Sequence, residues 1–218
     1  MLQRSSTTVV SLEPSSIRVH ELYKRNEGRR PIDETDMMAQ AIPIDLMKRL
    51  HVALSHSMQK DDRELLDGLR KVGFLLDNGE DDTGFFLKLL RYQGGYYLDV
   101  GCSQLLIDGK IKLKSGVGIE RLEPGEVVFT DGTALKTDIL VLATGYEPMQ
   151  ELMRKMFGNE MADRVGPIWG IGDDGEQCNM FSPTPQDGFY VVGGGFIGCR
   201  AYTHYTARLI KARLMGLA

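Results

Sequence analysis

The chain has 218 residues, 42% hydrophobic and 26% charged, ordinary globular values that exclude a disordered acidic tail and a membrane-embedded class. Lys plus Arg is 26 against Asp plus Glu 30, a net charge of −4, so no global basic field draws the chain to nucleic acid or anionic lipid. Three scattered cysteines, Cys102, Cys178 and Cys199, form neither a disulfide framework nor a metal knuckle, which points to a reducing, cytoplasmic setting.

Met1 to Val10 reads as the end of a strand running into a polar Ser/Thr loop, with no apolar core of a signal peptide. Nothing before Met1 could pair with that strand, so the expectation is a chain that starts inside a domain whose earlier elements lie upstream. From Pro31 to Gly73 the pattern is helical, with Asp33 and Thr35 as candidate caps and Pro43 separating a short helix from a longer one. Leu46, Leu50, Leu54 and Met58 recur every four residues as one apolar stripe. A third helix is expected over 62–71, with Leu65, Leu66, Leu69 and Val72 on one face and Gly73 ending it in the left-handed region. The three helices look like an inserted cap rather than a layer on a sheet.

Beyond Gly84, the Phe85-Phe86-Leu87 cluster and a Gly94-Gly95-Tyr96-Tyr97 turn lead to a short helix over 103–107. An Asp108-Gly109 turn and a strand over 110–115 follow. Residues 126–130 and those after Asp131-Gly132 form a hairpin, because Asp-Gly supplies the positive φ that a tight turn requires. Residues 138–143 are apolar on both faces, the mark of a central strand in a parallel sheet, and are far short of the ~20 residues that span a bilayer. A helix near 150–157, a hairpin around Asp173-Asp174-Gly175, a strand at 189–192 and a closing helix complete the chain. In that helix Tyr202, Tyr205, Thr206, Leu209 and Ile210 have the spacing of a face packed on a sheet.

Three segments could carry chemistry. Gly193-Gly194-Gly195-Phe196-Ile197-Gly198 matches GxGxxG between a strand and a helix, where open N–H groups and the helix dipole favour an anionic or electron-rich group. The full dinucleotide fingerprint needs an acidic residue about 20 residues on, after a second strand, and the chain stops at Ala218. A closing strand-turn-helix that touches a ligand held by other segments, or a turn needed only for packing, explains the match as well. Ala143-Thr144-Gly145-Tyr146 follows the two-faced strand, at the end where ligands collect in open α/β sheets. Taken alone it reads as an ordinary strand-to-loop turn. In Gln3-Arg4-Ser5-Ser6-Thr7, Arg4 with its hydroxyl neighbours suits a 2′-phosphate, though a solvated surface Arg is the plain alternative. His20, His51, His56 and His204 have no metal-ligand spacing, and no hydrolase or nucleotide-triphosphate motif is present. No side chain can be assigned as acid, base or nucleophile.

Taken in order, Gln-Arg-Ser-Ser-Thr, the helical segment, Gly95 to Lys112, the hairpin, Asp-Ile-Leu-Val-Leu-Ala-Thr-Gly-Tyr and the Gly-Gly-Gly helix resemble the C-terminal portion of flavin-containing monooxygenases across nearly the whole chain. The resemblance implies an α/β chain with a partial two-dinucleotide-binding-domain flavoprotein fold, its Rossmann-like sheets incomplete, and a small inserted helical segment. Residues 1–13 and 96–137 would be a remnant of the NADPH domain, 14–95 the helical insert, and 138–218 the return into the FAD domain. Arg4, Ser5 and Thr7 match the family's 2′-phosphate position, Thr144 and Gly145 its hinge motif, and Gly194 and Gly195 the turn beside the flavin. The implied cofactors are FAD and NADPH, and the implied reaction oxygenates a small organic substrate with O2 through a flavin hydroperoxide. Both glycine fingerprints and the gating motif of the family would lie upstream of Met1, so an N-terminal half or an oligomer partner is expected to complete the phosphate sites. The competing reading is a non-catalytic binding or interaction module derived from the same fold. A thiol-disulfide reductase is disfavoured, since no cysteine pair has CxxC spacing.

Overall fold

The computed structural model describes residues 1–13 and 20–217 and is a mixture of helices and small sheets, compatible with an α/β fold. The start of the expected insert, residues 14–19, lies outside the described residues. The chain divides into two compact units: Met1–Arg18, His51–Leu89 and Gly94–Gly145 form the first, and Val19–Leu50, Leu90–Gln93 and Tyr146–Ala218 the second. Among the described residues no helix is long and apolar enough to cross a membrane.

In the first unit the polar opening is flanked by strands. β1 (Leu2–Gln3) pairs in parallel with β4 (Lys114–Ser115), and β2 (Thr8–Ser11) pairs in parallel with β3 (Tyr96–Asp99). Residues 96–97, expected in a turn, are therefore strand, and the strand expected over 110–115 shrinks to its last two residues. α4 (Arg63–Lys71) and α6 (Cys102–Ile107) carry Leu66, Leu69 and Leu106 onto Val9 and Phe74 in one core cluster. This corrects the expectation of a cap, because α4 is a layer on the sheet; Val9 needs cover, and Leu66 and Leu69 supply it. Gly73 (φ +82°) ends α4 as expected, and the Phe74 N–H reaches back to the Leu69 carbonyl. A meander of β5 (Ile119–Glu123), β6 (Glu126–Phe129) and β7 (Ala134–Lys136) contains the expected Asp131-Gly132 turn.

Residues 138–143 are not a strand in the structure. Ile139 is 80% exposed and Val141 81%. A strand apolar on both faces is stable only between two paired neighbours with cover above and below, and no described strand lies beside this one.

The second unit is helical. α1 (Glu21–Asn26) is followed by α2 (Ile32–Gln40), which starts after Pro31. Neither Asp33 nor Thr35 caps it; Asp33 lies in its first turn, where negative charge favours the dipole, and Thr35 is buried. α3 (Ile44–Asp61) begins after Pro43, and its residues from His51 onward belong to the first unit, as does most of α5 (Phe85–Tyr92). α7 (Met149–Phe157) and α8 (Asn159–Val165) pack Met153, Ala162 and Val165 with Ile168, Met180 and Phe181. Tyr202 of the closing helix α9 (Phe196–Leu214) lies against that cluster, so the aromatic face of α9 meets helices and loops instead of the expected sheet. The expected strand at 189–192 is reduced to one isolated bridge, Pro183 to Tyr190, and one bond from the Phe181 N–H to the Val191 carbonyl.

Candidate functional site

The Arg4–Thr7 loop joins β1 to β2, and both of its ends are tied to one segment, residues 75–77. Gln3, 7% exposed, uses its side-chain amide as a strand edge: Nε2 donates to the Leu75 carbonyl at 2.7 Å, and the Leu75 N–H donates to Oε1 at 2.9 Å. At the other end the Thr7 N–H donates to the Leu75 carbonyl at 3.1 Å, and the Asp77 N–H donates to the Thr7 carbonyl at 3.2 Å. Arg4 and Ser5 are exposed between these anchors, and Arg4 has no ion-pair partner among the described residues. The Thr7 hydroxyl donates to the Gly95 carbonyl at 2.7 Å, so its proton is committed and it offers a ligand only a lone pair.

Beneath the loop is a half-buried charge pair. Lys88 Nζ reaches both Asp77 carboxylate oxygens, at 2.6 and 2.7 Å, and the Gly95 carbonyl at 3.0 Å. Burial works to raise the Asp77 pKa, but Lys88, Ser6, the Gly79 N–H and the Thr8 hydroxyl outweigh it and hold the carboxyl at about 2. The pair fastens β2, the 77–79 turn and α5 together, and so fixes where the loop sits. Asp77 and Lys88 escape sequence reasoning as site residues, and so do the anchoring roles of Gln3 and Ser6 within the Gln3–Thr7 segment. Their one sequence signal is a Lys inside the apolar run Phe85–Leu90, where an unpaired charge would be costly.

A guanidinium beside a free hydroxyl, on a loop clamped at both ends and placed after a parallel strand, fits a phosphate monoester. Arg4 and Ser5 meet that requirement; Thr7 shapes the loop.

The glycine segments fall in different units, Thr144 and Gly145 in the first, Gly194 and Gly195 in the second. Thr144 and Gly145 are exposed in irregular backbone, and Gly145 has φ +91° with open space where a Cβ would point. Gly194 has φ +97°, and a Cβ there would come within 3.2 Å of the Trp169 ring, so the turn accepts only glycine. Gly195 caps α9 in extended conformation and its Cβ direction is empty. The first intrahelical bond runs from the Cys199 N–H to the Gly195 carbonyl, which leaves the N–H groups of Phe196, Ile197 and Gly198 facing outward at the positive end of the dipole. α9 itself is pinned by Arg200, whose Nε and Nη2 grip the Asp36 carboxylate at 2.6 and 2.7 Å, and by the Thr206 hydroxyl on the Phe181 carbonyl at 2.7 Å. An open helix terminus behind an all-glycine approach suits an electron-rich ring edge. Among the described residues no His, Cys, Asp and Glu cluster could hold a metal.

No protein-family profile matches the chain. Over 49 residues the chain is 41% identical to a protein of Arabidopsis thaliana described as a probable indole-3-pyruvate monooxygenase, YUCCA7. The matched stretch is 22% of this chain and 11% of that protein. Such a match supports a distant relationship to flavin monooxygenases, an oxidative class of enzyme.

Proposed function

We propose that this chain is the C-terminal part of an NADPH-dependent flavin monooxygenase, with two incomplete dinucleotide-binding domains that an upstream half or a partner completes. The observation that carries the reading is the clamped loop that holds Arg4, unpaired among the described residues, beside Ser5 at the end of β1. Arg4 would grip the 2′-phosphate of NADPH through paired N–H groups, and Ser5 would donate a third bond. The N–H groups of Phe196, Ile197 and Gly198 would face the electron-rich edge of FAD, with Gly194 and Gly195 letting that edge approach the backbone. Thr144 and Gly145 would form the hinge between the two domains. When bound, FAD supplies the redox chemistry with O2 and NADPH supplies the hydride. The protein's share is to select, orient and shield.

Calorimetric titration of the full chain with NADP+ and NAD+ tests the reading. NADP+ should bind about tenfold tighter or better, a difference of about 1.4 kcal/mol, and Arg4→Ala should erase the preference without changing the circular dichroism. Equal affinities in the parent chain would overturn it. The reading of a non-catalytic module is favoured by one observation, the exposed apolar run at 139–142. A cooperatively melting chain that takes up neither NADP+ nor FAD would decide for it.

A further inference from the structure

The first unit contains a cleft of about 230 Å³ between β2, the second half of α3, the start of α4 and the 76–85 segment. It is below the ~300 Å³ of drug-sized pockets and suits a fragment-sized ligand. Its two ends are chemically unlike.

At one end His51 lies flat on Phe86, ring centroids 4.0 Å apart and planes 14° apart, with Phe85 edge-on at 6.1 Å. Its ring nitrogens have no hydrogen-bond partner among the described residues. Burial holds the imidazole pKa down at about 4, so near neutrality the ring is uncharged and offers one donor and one acceptor.

At the other end is Asp62, 5% exposed. Its carboxylate accepts the Ser11 N–H at 3.0 Å and the Ser11 hydroxyl, and no cation approaches it among the described residues. The two other charges on the cleft wall are already matched, Asp77 by Lys88 at 2.6 Å and Arg70 by Asp67 at 2.7 Å. Asp62 stands at the N-cap of α4, where the helix dipole favours its charge, and each carboxylate oxygen accepts one bond from Ser11 and keeps a further lone pair for a donor. His51, Ser55, Met58 and Asp62 follow at steps of four, three and four along one helical face. That places the aromatic end and the anionic end ~16 Å apart at 1.5 Å per residue, with Met58 between them and Leu66 a turn beyond Asp62 as apolar wall.

We propose that this cleft binds a small arylalkylammonium ion, its ammonium on Asp62 and its ring against Met58, directed toward the His51–Phe85 end. The cleft shares Thr8 and Asp77 with the anchoring of the Arg4 loop but is lined by none of Arg4, Ser5 or the glycine-turn residues, and the proposal stands whether or not the chain binds FAD or NADPH.

Three probes that differ only in charge test it: 2-phenylethylammonium, 2-phenylethanol and phenylacetate, titrated calorimetrically into the full chain. The ammonium should bind about tenfold tighter than the alcohol, and the phenylacetate not at all. Asp62→Asn should make the ammonium and the alcohol equal. Gln59→Lys keeps the proposal falsifiable if that variant fails to fold, because residue 59 lies a turn before Asp62 on the same cleft and the new ammonium would occupy the carboxylate. It should abolish ammonium binding and raise the melting temperature. Three equal affinities, no binding by the ammonium, or ammonium binding intact in Gln59→Lys would overturn the proposal.

Discussion

His51 and Asp77 show how burial acts on two charges with opposite results. Near neutrality His51 is buried as the uncharged ring, and burial holds its pKa at about 4 against an unfolded value of about 6.5. Below pH ~6.5 the unfolded chain therefore takes up a proton that the folded one refuses, so the stability from neutral His51 is complete above that pH and is lost as pH falls toward 4, by up to ~3 kcal/mol. His51→Phe should flatten this loss, which urea titrations at pH 7 and pH 5 would measure. Asp77 is held at about 2 with Lys88 upon it, so its contribution is complete above pH ~4 and disappears as pH falls through 2. Lys88→Met removes the cation from a half-buried carboxylate that keeps its bonds from Ser6, Thr8 and the Gly79 N–H, and should cost about 2 kcal/mol in the same titration. Arg4 and Ser5 are legible in the sequence because an Arg among hydroxyls after a strand is a local pattern. The anchors Gln3 and Asp77 are not, because their partners lie up to 72 residues away.

At the scale of elements, α3 shows why a periodic pattern is insufficient. Leu46, Leu50, Leu54 and Met58 make the evident stripe, yet Leu46 is 49% and Leu50 51% exposed, while Ser55 and Met58 are buried. One helix carries two overlapping faces, and which one turns inward depends on what β2 and the 76–85 segment present to it. The turn before α5 has a harder constraint. A Cβ on Gly79 would sit 1.7 Å from the Gly84 carbonyl oxygen, and both glycines have positive φ. Gly79→Ala must open the turn and release the Gly79 N–H from Asp77, and should destabilise the first unit by more than about 2 kcal/mol. Hydrogen exchange at the Gly84 amide, which bonds the Asn78 carbonyl at 2.7 Å, would report the opening.

For the whole molecule, each unit has its own core: Val9, Leu66, Leu69, Phe74 and Leu106 in the first, and Met153, Ala162, Val165, Ile168, Met180 and Phe181 in the second. Leu69, fully buried, should cost about 3 kcal/mol on truncation to Ala, read as lost amide protection in β2 and β3. The sequence by itself determined the helices bounded by Pro31, Pro43 and Gly73, the Asp131-Gly132 hairpin and the glycine entry to α9, since caps, breakers and turns act within a few residues. Only the tertiary structure decided that α4 covers the sheet, that 138–143 lies exposed, and that Gln3, Asp77 and Lys88 clamp the Arg4 loop. Strand pairing and buried charge compensation depend on groups distant in the chain, and local patterns carry no record of which distant group arrives.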